Sequence, residues 1–338
     1  MSFRIRNATA SDLQPLYEMA KLAGDGFTNL PADREALKAR LDRSAEAFAR
    51  DDDGLADELF MLMLENTATG ELRGTCQIFS CVGQTWPFYS YRLTTLTQHS
   101  RELNRTVRAE MLSLVNDLEG SSEVGGLFLH PAERAGGLGL LLARSRYLFI
   151  AMHRARFADR ILAELRGIID ERGESPFWDA IGGRFFQMSF QEADYFNATL
   201  DNQFIADLMP KHPVYVAMLD EAARRAIGLP HPSGRAAMRM LANEGYVHEG
   251  YVDIFDGGPT MTARTDDVAS IRDAREWAIG GTAAEGEAQK ALVATGRLAD
   301  FRCCYAMVRR GEDSLAIDPE AAALLGVAAG DRVWMIPR

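Results

Sequence analysis

The residues between Arg134 and Gly139 have the types and spacing of a phosphate-binding loop. They read Arg134-x-x-Gly137-x-Gly139 and follow a short apolar run, Val124–Leu129, which predicts a buried strand. The next segment, Leu140–Met152, has apolar residues at helical spacing. Glycines let a ligand approach the backbone, and the first amides of a helix point outward without partners. This strand–loop–helix unit therefore predicts a site for a phosphate or diphosphate group.

Two other interpretations of the unit stay open at the level of the motif. Dinucleotide-binding folds also use a strand, a glycine loop and a helix, and Asp159 lies near the distance expected for a ribose-binding acid. However, Leu142 stands where the third glycine of that motif is expected. The unit could also be a glycine-rich strand-to-helix connection that binds no ligand, because short glycine motifs often match by chance.

Charge and composition restrict the class of partner. The chain has 338 residues, of which 47% are apolar and 25% charged, and its net charge is −11. These are the proportions of an ordinary globular protein, long enough for two domains or one domain with an appendage. The acidic balance argues against a broad basic face for nucleic acid. Basic residues do cluster between Arg134 and Arg160, which suits one anionic ligand.

Cysteine usage and hydropathy point to a cytoplasmic protein without a metal. Cys76, Cys81, Cys303 and Cys304 form no Cys-x-x-Cys pair, and no zinc-type histidine spacing occurs. We therefore expect reduced structural cysteines and no metal site. The segment 1–6 lacks an apolar signal core, and no apolar run approaches the length of a membrane span.

Strand and helix patterns alternate along the chain. A strand at 160–167 is predicted as the parallel neighbour of Val124–Leu129, with the intervening helix as the crossover. The polar segment Gln98–Asn104 is predicted to be an active-site loop. The Gly- and Ala-rich segment 280–296 is predicted to be a mobile linker. The other segments with strand or helix patterns are 3–6, 59–65, 72–82, 175–186, 220–227, 236–255, 303–308, 313–317 and 333–336.

The glycine loop resembles the acyl-CoA diphosphate loop of the GNAT acyltransferase superfamily, (Gln/Arg)-x-x-Gly-x-(Gly/Ala). This resemblance implies an α+β fold, with a GNAT-like mixed twisted sheet flanked by helices. It also implies that the end of the strand pairs with the pantetheine arm of coenzyme A while the loop binds the diphosphate. The residues concerned are Leu127, Phe128 and Leu129 for the arm, and Arg134, Gly137, Leu138 and Gly139 for the diphosphate.

Three parts of the chain are predicted from this pattern. Residues 1–200 form a GNAT-like acyl-CoA-binding domain. Residues 201–279 form a second GNAT-like half, because a helix followed by glycine and an aromatic residue occurs in both regions. Residues 280–338 form a linker and a small β-rich C-terminal piece.

A collinear set of segments resembles the bacterial arginine N-succinyltransferases. The resemblance implies transfer of succinyl from succinyl-CoA to the α-amine of L-arginine, the first step of a catabolic route to glutamate and ammonia. The family's succinyl-CoA contact falls on Leu127, and its proton-donating histidine falls on His231. The matching segments are 30–32, 89–92, 99–104, 127–129, 163–167, 175–178, 208–215, 231–232 and 251–260.

An arginine acceptor would need carboxylates for its guanidinium group, because bidentate pairing suits the fork of that group. Glu164, Asp170, Asp253 and Asp256 are candidates for this role. Arg101 and Arg166 could hold the carboxylate of arginine or of the succinyl group. His231 lies between two prolines that stiffen its loop, although a surface histidine in a turn remains an alternative.

The acceptor and the catalytic status stay open at this level. A GNAT relative could use ornithine, another amine or another acyl-CoA, and a related chain could bind coenzyme A without turnover. Small-molecule substrates are expected, L-arginine and succinyl-CoA, without nucleic acid or membrane. Assembly with a second copy or with a similar chain is also expected.

Overall fold

A single mixed sheet of fifteen strands runs through the part of the chain that the computed structural model describes, residues 3–23, 29–134, 136–199, 208–282 and 288–338. Its order is β12–β15–β11–β14–β13–β1–β2–β3–β6–β7–β10–β9–β4–β5–β8. The strands are β1 (Phe3–Asn7), β2 (Leu59–Asn66), β3 (Glu71–Phe79), β4 (Ser90–Ser100), β5 (Arg105–Val115), β6 (Ser122–Leu129), β7 (Arg160–Glu164), β8 (Val214–Tyr215), β9 (Val247–Val252), β10 (Pro259–Arg264), β11 (Arg275–Gly281), β12 (Gln289–Thr295), β13 (Arg302–Arg310), β14 (Ser314–Ile317) and β15 (Arg332–Pro337).

Helices follow the capping signals of the sequence. The Asp33 side chain accepts from the Ala36 N–H at the start of α2, and the Ser175 side chain accepts from the Trp178 N–H at the start of α4. The helices are α1 (Leu13–Ala23), α2 (Arg34–Ala49), α3 (Leu138–Met152), α4 (Pro176–Ala180), α5 (Gly182–Phe186), α6 (Phe190–Thr199), α7 (Glu221–Ala226), α8 (Arg235–Asn243), α9 (Ala269–Arg272) and α10 (Pro319–Leu325).

Both faces of the central strands are buried, and alternation along β2 decides which side chain meets which helix. Phe60 and Leu62 join the cluster that contains α3, through Leu142 and others. Met61 faces the opposite way, into the cluster that contains Leu37 of α2. Side chains alternate between the faces of a strand, so one continuous apolar run fills two cores.

The β6–α3–β7 unit has the predicted parallel crossover. β6 and β7 pair in parallel at Ser122 with Ile161 and at Glu123 with Leu162. Among the described residues, no further ladder pair joins these strands. The edge of β6 from Gly125 to Leu129 that faces β7 is therefore left without a strand partner. This opening in the middle of the sheet positions the candidate site.

The predicted second half over 201–279 does not form a sheet of its own. β10 pairs antiparallel with β7 along its length, and β9 pairs with β10. These strands extend the first sheet because the opposite edge of β7 was free. Ala223 and Ala226 of α7 join a buried cluster with Phe177 and Trp178 of α4 and with Tyr91 of β4.

The predicted linker over 280–296 is wrong where the structure describes it. β11 ends at Gly281 and β12 spans Gln289–Thr295, while 283–287 lie outside the described residues. Small residues here serve close packing, since a Cβ on Gly280 would lie 2.5 Å from Ser314 Oγ. The predicted β-rich C-terminal piece is present, and its β13 pairs with β1 at Ile5 and Cys303.

The predicted active-site loop at Gln98–Asn104 is instead the far end of a long ribbon. β4 and β5 pair at every position from Ser90–Val115 to Ser100–Arg105. β4 meets β9 only at Tyr91 and Arg92. The polarity of this segment reflects a solvated two-stranded arm, because residues 101–108 at its tip are all exposed.

Candidate functional site

The unpaired edge of β6 contains a β-bulge. The register with β3 shifts between the Thr75–Phe128 pair and the Gln77–Gly125 pair. Gly126 lies in the shift with φ of +55°, and a Cβ there would lie 2.7 Å from Gln77 Cδ. Glycine is required because an L side chain would be both strained and blocked. The bulge lies beside Leu127, the predicted contact for the acyl donor, in the stretch of β6 that has no ladder pair with β7.

The loop after β6 leads into α3 as the sequence predicts. Gly137 is the N-cap in the left-handed region, with φ of +83°. Leu140 and Leu141 N–H groups donate to the Gly137 carbonyl, both at 3.1 Å. Leu138 and Gly139 therefore carry the outward-pointing amides at the N-terminal end of α3. Such amides and the helix dipole favour an anion.

Positive side chains lie beside this loop. Arg134 is exposed, directly after the turn that follows β6. A Cβ on Gly137 would lie 2.8 Å from Arg338 Nη2, so that guanidinium touches the loop from the C-terminal piece. The Tyr305 hydroxyl donates to the Gly137 carbonyl at 3.0 Å and fixes the cap.

The arginines further along do not form the predicted basic cluster for one anion. Arg144 pairs with Glu244 at 3.1 Å, and Arg154 pairs with Asp159 and Asp266. Arg156 is fully buried and pairs with Asp53 and Glu58 at 3.1 and 3.2 Å. Most of their partners are distant in sequence, so charge clustering along the chain could not reveal these structural ion pairs.

Four carboxyl groups form an acidic cluster on the face of the sheet that α1 and α2 also cover. They are Glu123 of β6, Glu164 of β7, and Asp253 and Asp256 of the β9–β10 turn. Burial and then the charges of the other three raise the pKa of Glu164 well above its usual value. Burial raises the pKa of Glu123 to about 7, against a hydrogen bond from Asn29.

The carboxyl groups of the acidic cluster differ in the hydrogen bonds that they accept from the protein. Asp256 accepts from the N–H groups of Gly167 and Gly258 at 2.6 and 2.8 Å, so it fixes the turn. One oxygen of Asp253 accepts from two N–H groups of its own turn. Glu164 accepts only a long bond from Thr260, 3.4 Å, among the described residues. The buried pair Glu164 and Asp253 therefore suits a cationic ligand.

His231 is held close to the acidic cluster. Its N–H donates to the Arg166 carbonyl at 2.7 Å, two residues beyond Glu164. The N–H of Ser233 donates to Nδ1 at 3.3 Å, which assigns the proton of the neutral ring to Nε2. Burial, and then the Arg166 charge, lower the pKa of His231. The ring is half-buried.

The structure brings some of the predicted substrate residues together. Glu164, Asp253 and Asp256 belong to the acidic cluster, and the Arg166 carbonyl accepts from the His231 N–H. Asp170 is exposed and accepts from the N–H groups of Arg172 and Glu174 in its own loop.

Arg101 lies in the turn of the β4–β5 ribbon, nine residues past the Arg92 contact with β9. At about 3.3 Å per residue the turn is roughly 30 Å from the sheet. Arg101 does not join the site of its own chain.

Glu123 and Arg40 were missed from the sequence. Glu123 begins an apolar strand, where a carboxylate resembles an ordinary solvated strand end. Arg40 belongs to a helix with many charged residues, and nothing along the chain indicates that it faces the sheet. A cavity of about 480 Å³ lined by Asp117 and Arg160 lies at the opposite end of β6 and β7, so it is separate from this site.

Comparison with known proteins identifies the family. A family model described as the arginine N-succinyltransferase beta subunit matches residues 3–270, and its C-terminal domain matches 275–337. The Pseudomonas aeruginosa arginine N-succinyltransferase subunit beta is 40% identical over 334 residues, 98% of this chain and 97% of that one. This chain belongs to the arginine N-succinyltransferase family. The Escherichia coli arginine N-succinyltransferase is 39% identical over 333 residues, 98% of this chain and 96% of that one.

A solved relative has the same architecture. The arginine/ornithine succinyltransferase subunit AI from Pseudomonas aeruginosa superposes with a TM-score of 0.90 and 34% identity, over 99% of this chain and 98% of that one. The protein is accordingly an acyltransferase with the predicted α+β fold.

The described residues carry neither a metal site nor a membrane span. Within the described ranges, no group of three or more His, Cys, Asp or Glu side chains is arranged to hold a metal ion. No helix in those ranges is both long and apolar enough to cross a membrane.

Proposed function

We propose that the protein transfers succinyl from succinyl-CoA to the α-amine of L-arginine. The observation that supports this most strongly is the acidic cluster at the opening beside the β6 bulge. It places anionic side chains for a cationic acceptor next to the strand edge expected to bind the donor. Relatives of nearly the same length are named arginine N-succinyltransferases, which supports the same acceptor.

The donor would lie along β6 and end at α3. Its diphosphate would accept from the amides of Leu138 and Gly139, with Arg134 supplying positive charge. Its pantetheine arm would pair with the backbone of Leu127–Leu129, which β7 leaves open. The thioester would then lie at the bulge, close to Glu123.

The acceptor would lie across the β7 end of the opening. Glu164 and Asp253 would receive the guanidinium. Its positive charge would lower their raised pKa values and so favour the ionised carboxylates that match its paired donors. Arg166 would hold the carboxylate of arginine. Arg101 would reach a site through assembly of two chains, since it lies nine residues beyond the last pair of β4 with β9.

The reaction needs one proton to leave the amine and one to reach the departing thiolate. The amine nitrogen attacks the thioester carbon, a C–N bond forms and the C–S bond breaks. Glu123, with its pKa near 7, would accept the amine proton at neutral pH. The Nε2–H of the neutral His231 ring would donate a hydrogen bond to the departing sulfur as negative charge develops, and the thiolate would then take its proton from solvent.

A thiol-release assay with succinyl-CoA and L-arginine tests this proposal, with mass spectrometry of the product. We expect saturable release and a product larger than arginine by one succinyl group. Glu164→Gln should raise KM for arginine about tenfold or more while KM for succinyl-CoA stays unchanged. No release with any amine, despite acyl-CoA binding, would instead indicate a non-catalytic coenzyme A-binding subunit.

Ornithine is the second candidate acceptor, since the solved relative from Pseudomonas aeruginosa is described as an arginine/ornithine succinyltransferase. Its side-chain ammonium is a point charge and does not need paired donors. A preference for ornithine over arginine in the same assay would select this alternative.

We also propose that the enzyme assembles with a second copy or a similar chain and acts in cytoplasmic arginine catabolism. The word "subunit" in the names of two relatives supports assembly. Sedimentation of the purified protein tests it.

A further inference from the structure

Arg40 occupies an unusual place for a helical arginine. It lies on α2, its side chain is partly buried, and it turns toward the sheet rather than to solvent. Its Nη1 donates to Gln77 Oε1 at 3.4 Å. Gln77 is fully buried on β3 and is the side chain that contacts the Gly126 bulge. Arg40 is therefore separated from the bulge by one side chain.

The polar groups around Arg40 form a connected network. Gln77 Nε2 donates to the Asn29 carbonyl at 2.6 Å, and Asn29 Nδ2 donates to Glu123 Oε1 at 3.3 Å. The network joins α2, β3 and β6 on the face that carries the acidic cluster. It borders the strand edge where the acyl group of the donor would lie.

We propose that Arg40 binds the terminal carboxylate of a dicarboxylic acyl group and so determines which acyl-CoA the enzyme accepts. This inference rests on the acyl transfer proposed above. With the thioester at Gly126, the succinyl carboxylate would extend about 4 Å further, given carbon–carbon bonds of roughly 1.5 Å. Gln77 separates Arg40 from the bulge, and the planar fork of Arg40 would pair in a bidentate manner with a carboxylate that displaces the Gln77 amide.

Electrostatics favour an incoming anion at this position. Burial, and then the charge of Arg43, lower the pKa of Arg40 to about 10, so the guanidinium stays charged at neutral pH. Glu123 carries only part of its negative charge there, because burial raises its pKa to about 7. A carboxylate on the donor would therefore meet the positive charge of Arg40 beside a partly neutral Glu123, and burial strengthens this attraction.

Donor preference provides the test. Succinyl-CoA and butyryl-CoA carry acyl groups of the same length that differ in the terminal carboxylate. With arginine as acceptor, Arg40→Gln should raise KM for succinyl-CoA tenfold or more and leave KM for butyryl-CoA within twofold. Arg40→Lys should give a KM for succinyl-CoA between those of the wild type and Arg40→Gln, because lysine keeps the positive charge but lacks the planar group for bidentate pairing. Arg34→Gln, the same change at an exposed position of α2, should match the wild type.

The outcomes separate this inference from the proposed function. Equal loss with both donors, or no loss with either, would overturn the role of Arg40. Should Arg40→Gln fail to fold by circular dichroism, an unchanged donor preference in Arg40→Lys would overturn it as well. Should the wild type release no thiol at all, calorimetric binding of the two acyl-CoAs to wild type and Arg40→Lys still decides the point.

Discussion

At the scale of single residues, the site depends on how the protein holds its polar groups rather than on their identity alone. His231 combines two functions in one ring, because Nδ1 caps the turn at Ser233 while Nε2 remains available. Sequence could indicate His231 by resemblance, but it could not indicate this tautomer. Glu123 was not recognised because its burial arises from α2 and β3, which are distant in the chain.

His231 can be tested without disturbing its turn. His231→Asn keeps an acceptor for the Ser233 N–H and removes the ring Nε2–H. We expect kcat to fall about a hundredfold, as for loss of a hydrogen-bond donor to the developing charge, while coenzyme A binding measured by calorimetry is unchanged. His99→Asn on the exposed ribbon is the control. Full turnover in His231→Asn would remove the histidine from the mechanism.

At the scale of elements, the sequence predicts units whose signal is local. The β6–α3–β7 crossover follows from apolar periodicity and glycine spacing within one stretch, and it is present. β11 and β12 are not predicted because their small residues resemble a linker, whereas Gly280 of β11 lies close against Ser314. The sequence predicts a loop at Gln98–Asn104 because exposed strands lack the alternation of apolar and polar residues that burial imposes.

The end of α3 offers a prediction about pH. His153 is buried, its Nδ1 bonds to the Phe149 carbonyl, and its Nε2 accepts from the Leu298 N–H at 3.2 Å. Burial lowers its pKa to about 4. The unfolded chain binds this proton below about pH 6.5, so stability is full above that pH and falls as pH drops toward 4.

We expect this histidine to contribute about 2 kcal/mol to the loss of unfolding free energy between pH 7 and pH 5. Urea unfolding at the two pH values, compared between wild type and His153→Asn, measures it. The carboxyl groups titrate in both proteins, so the difference isolates His153. Equal pH dependence in wild type and variant would contradict the assignment.

At the scale of the whole molecule, the C-terminal piece is part of the main core and of the coenzyme loop. Phe301, Cys303 and Ile336 are buried in the same cluster as Ile5 and Phe149. Tyr305 of β13 also links the C-terminal piece to the glycine loop, because its hydroxyl donates a hydrogen bond to the Gly137 carbonyl. A division of the chain into domains by sequence pattern did not anticipate this sharing, because the contacts join opposite ends of the chain.

Tyr305→Phe isolates that connection. The change removes one hydroxyl, so unfolding free energy should fall by only about 1 kcal/mol. KM for the acyl-CoA should rise severalfold, because the Gly137 carbonyl at the start of α3 loses its hydrogen bond from Tyr305. KM for the acceptor should stay constant. Tyr215→Phe, at an exposed position of β8, is the matched control. An equal change in both Michaelis constants would refute a role specific to the loop.

The position of β1 also constrains the order of events during synthesis. β1 lies between β2 and β13, and Arg4 reaches the Leu324 carbonyl, 320 residues further along. The edge of β1 that pairs with β13 therefore stays unpaired until Arg302–Arg310 have been synthesised, near the end of the chain. Such distant pairing slows folding and keeps an unpaired edge exposed meanwhile. Chaperone dependence and a low yield from rapid expression should be intrinsic to this topology.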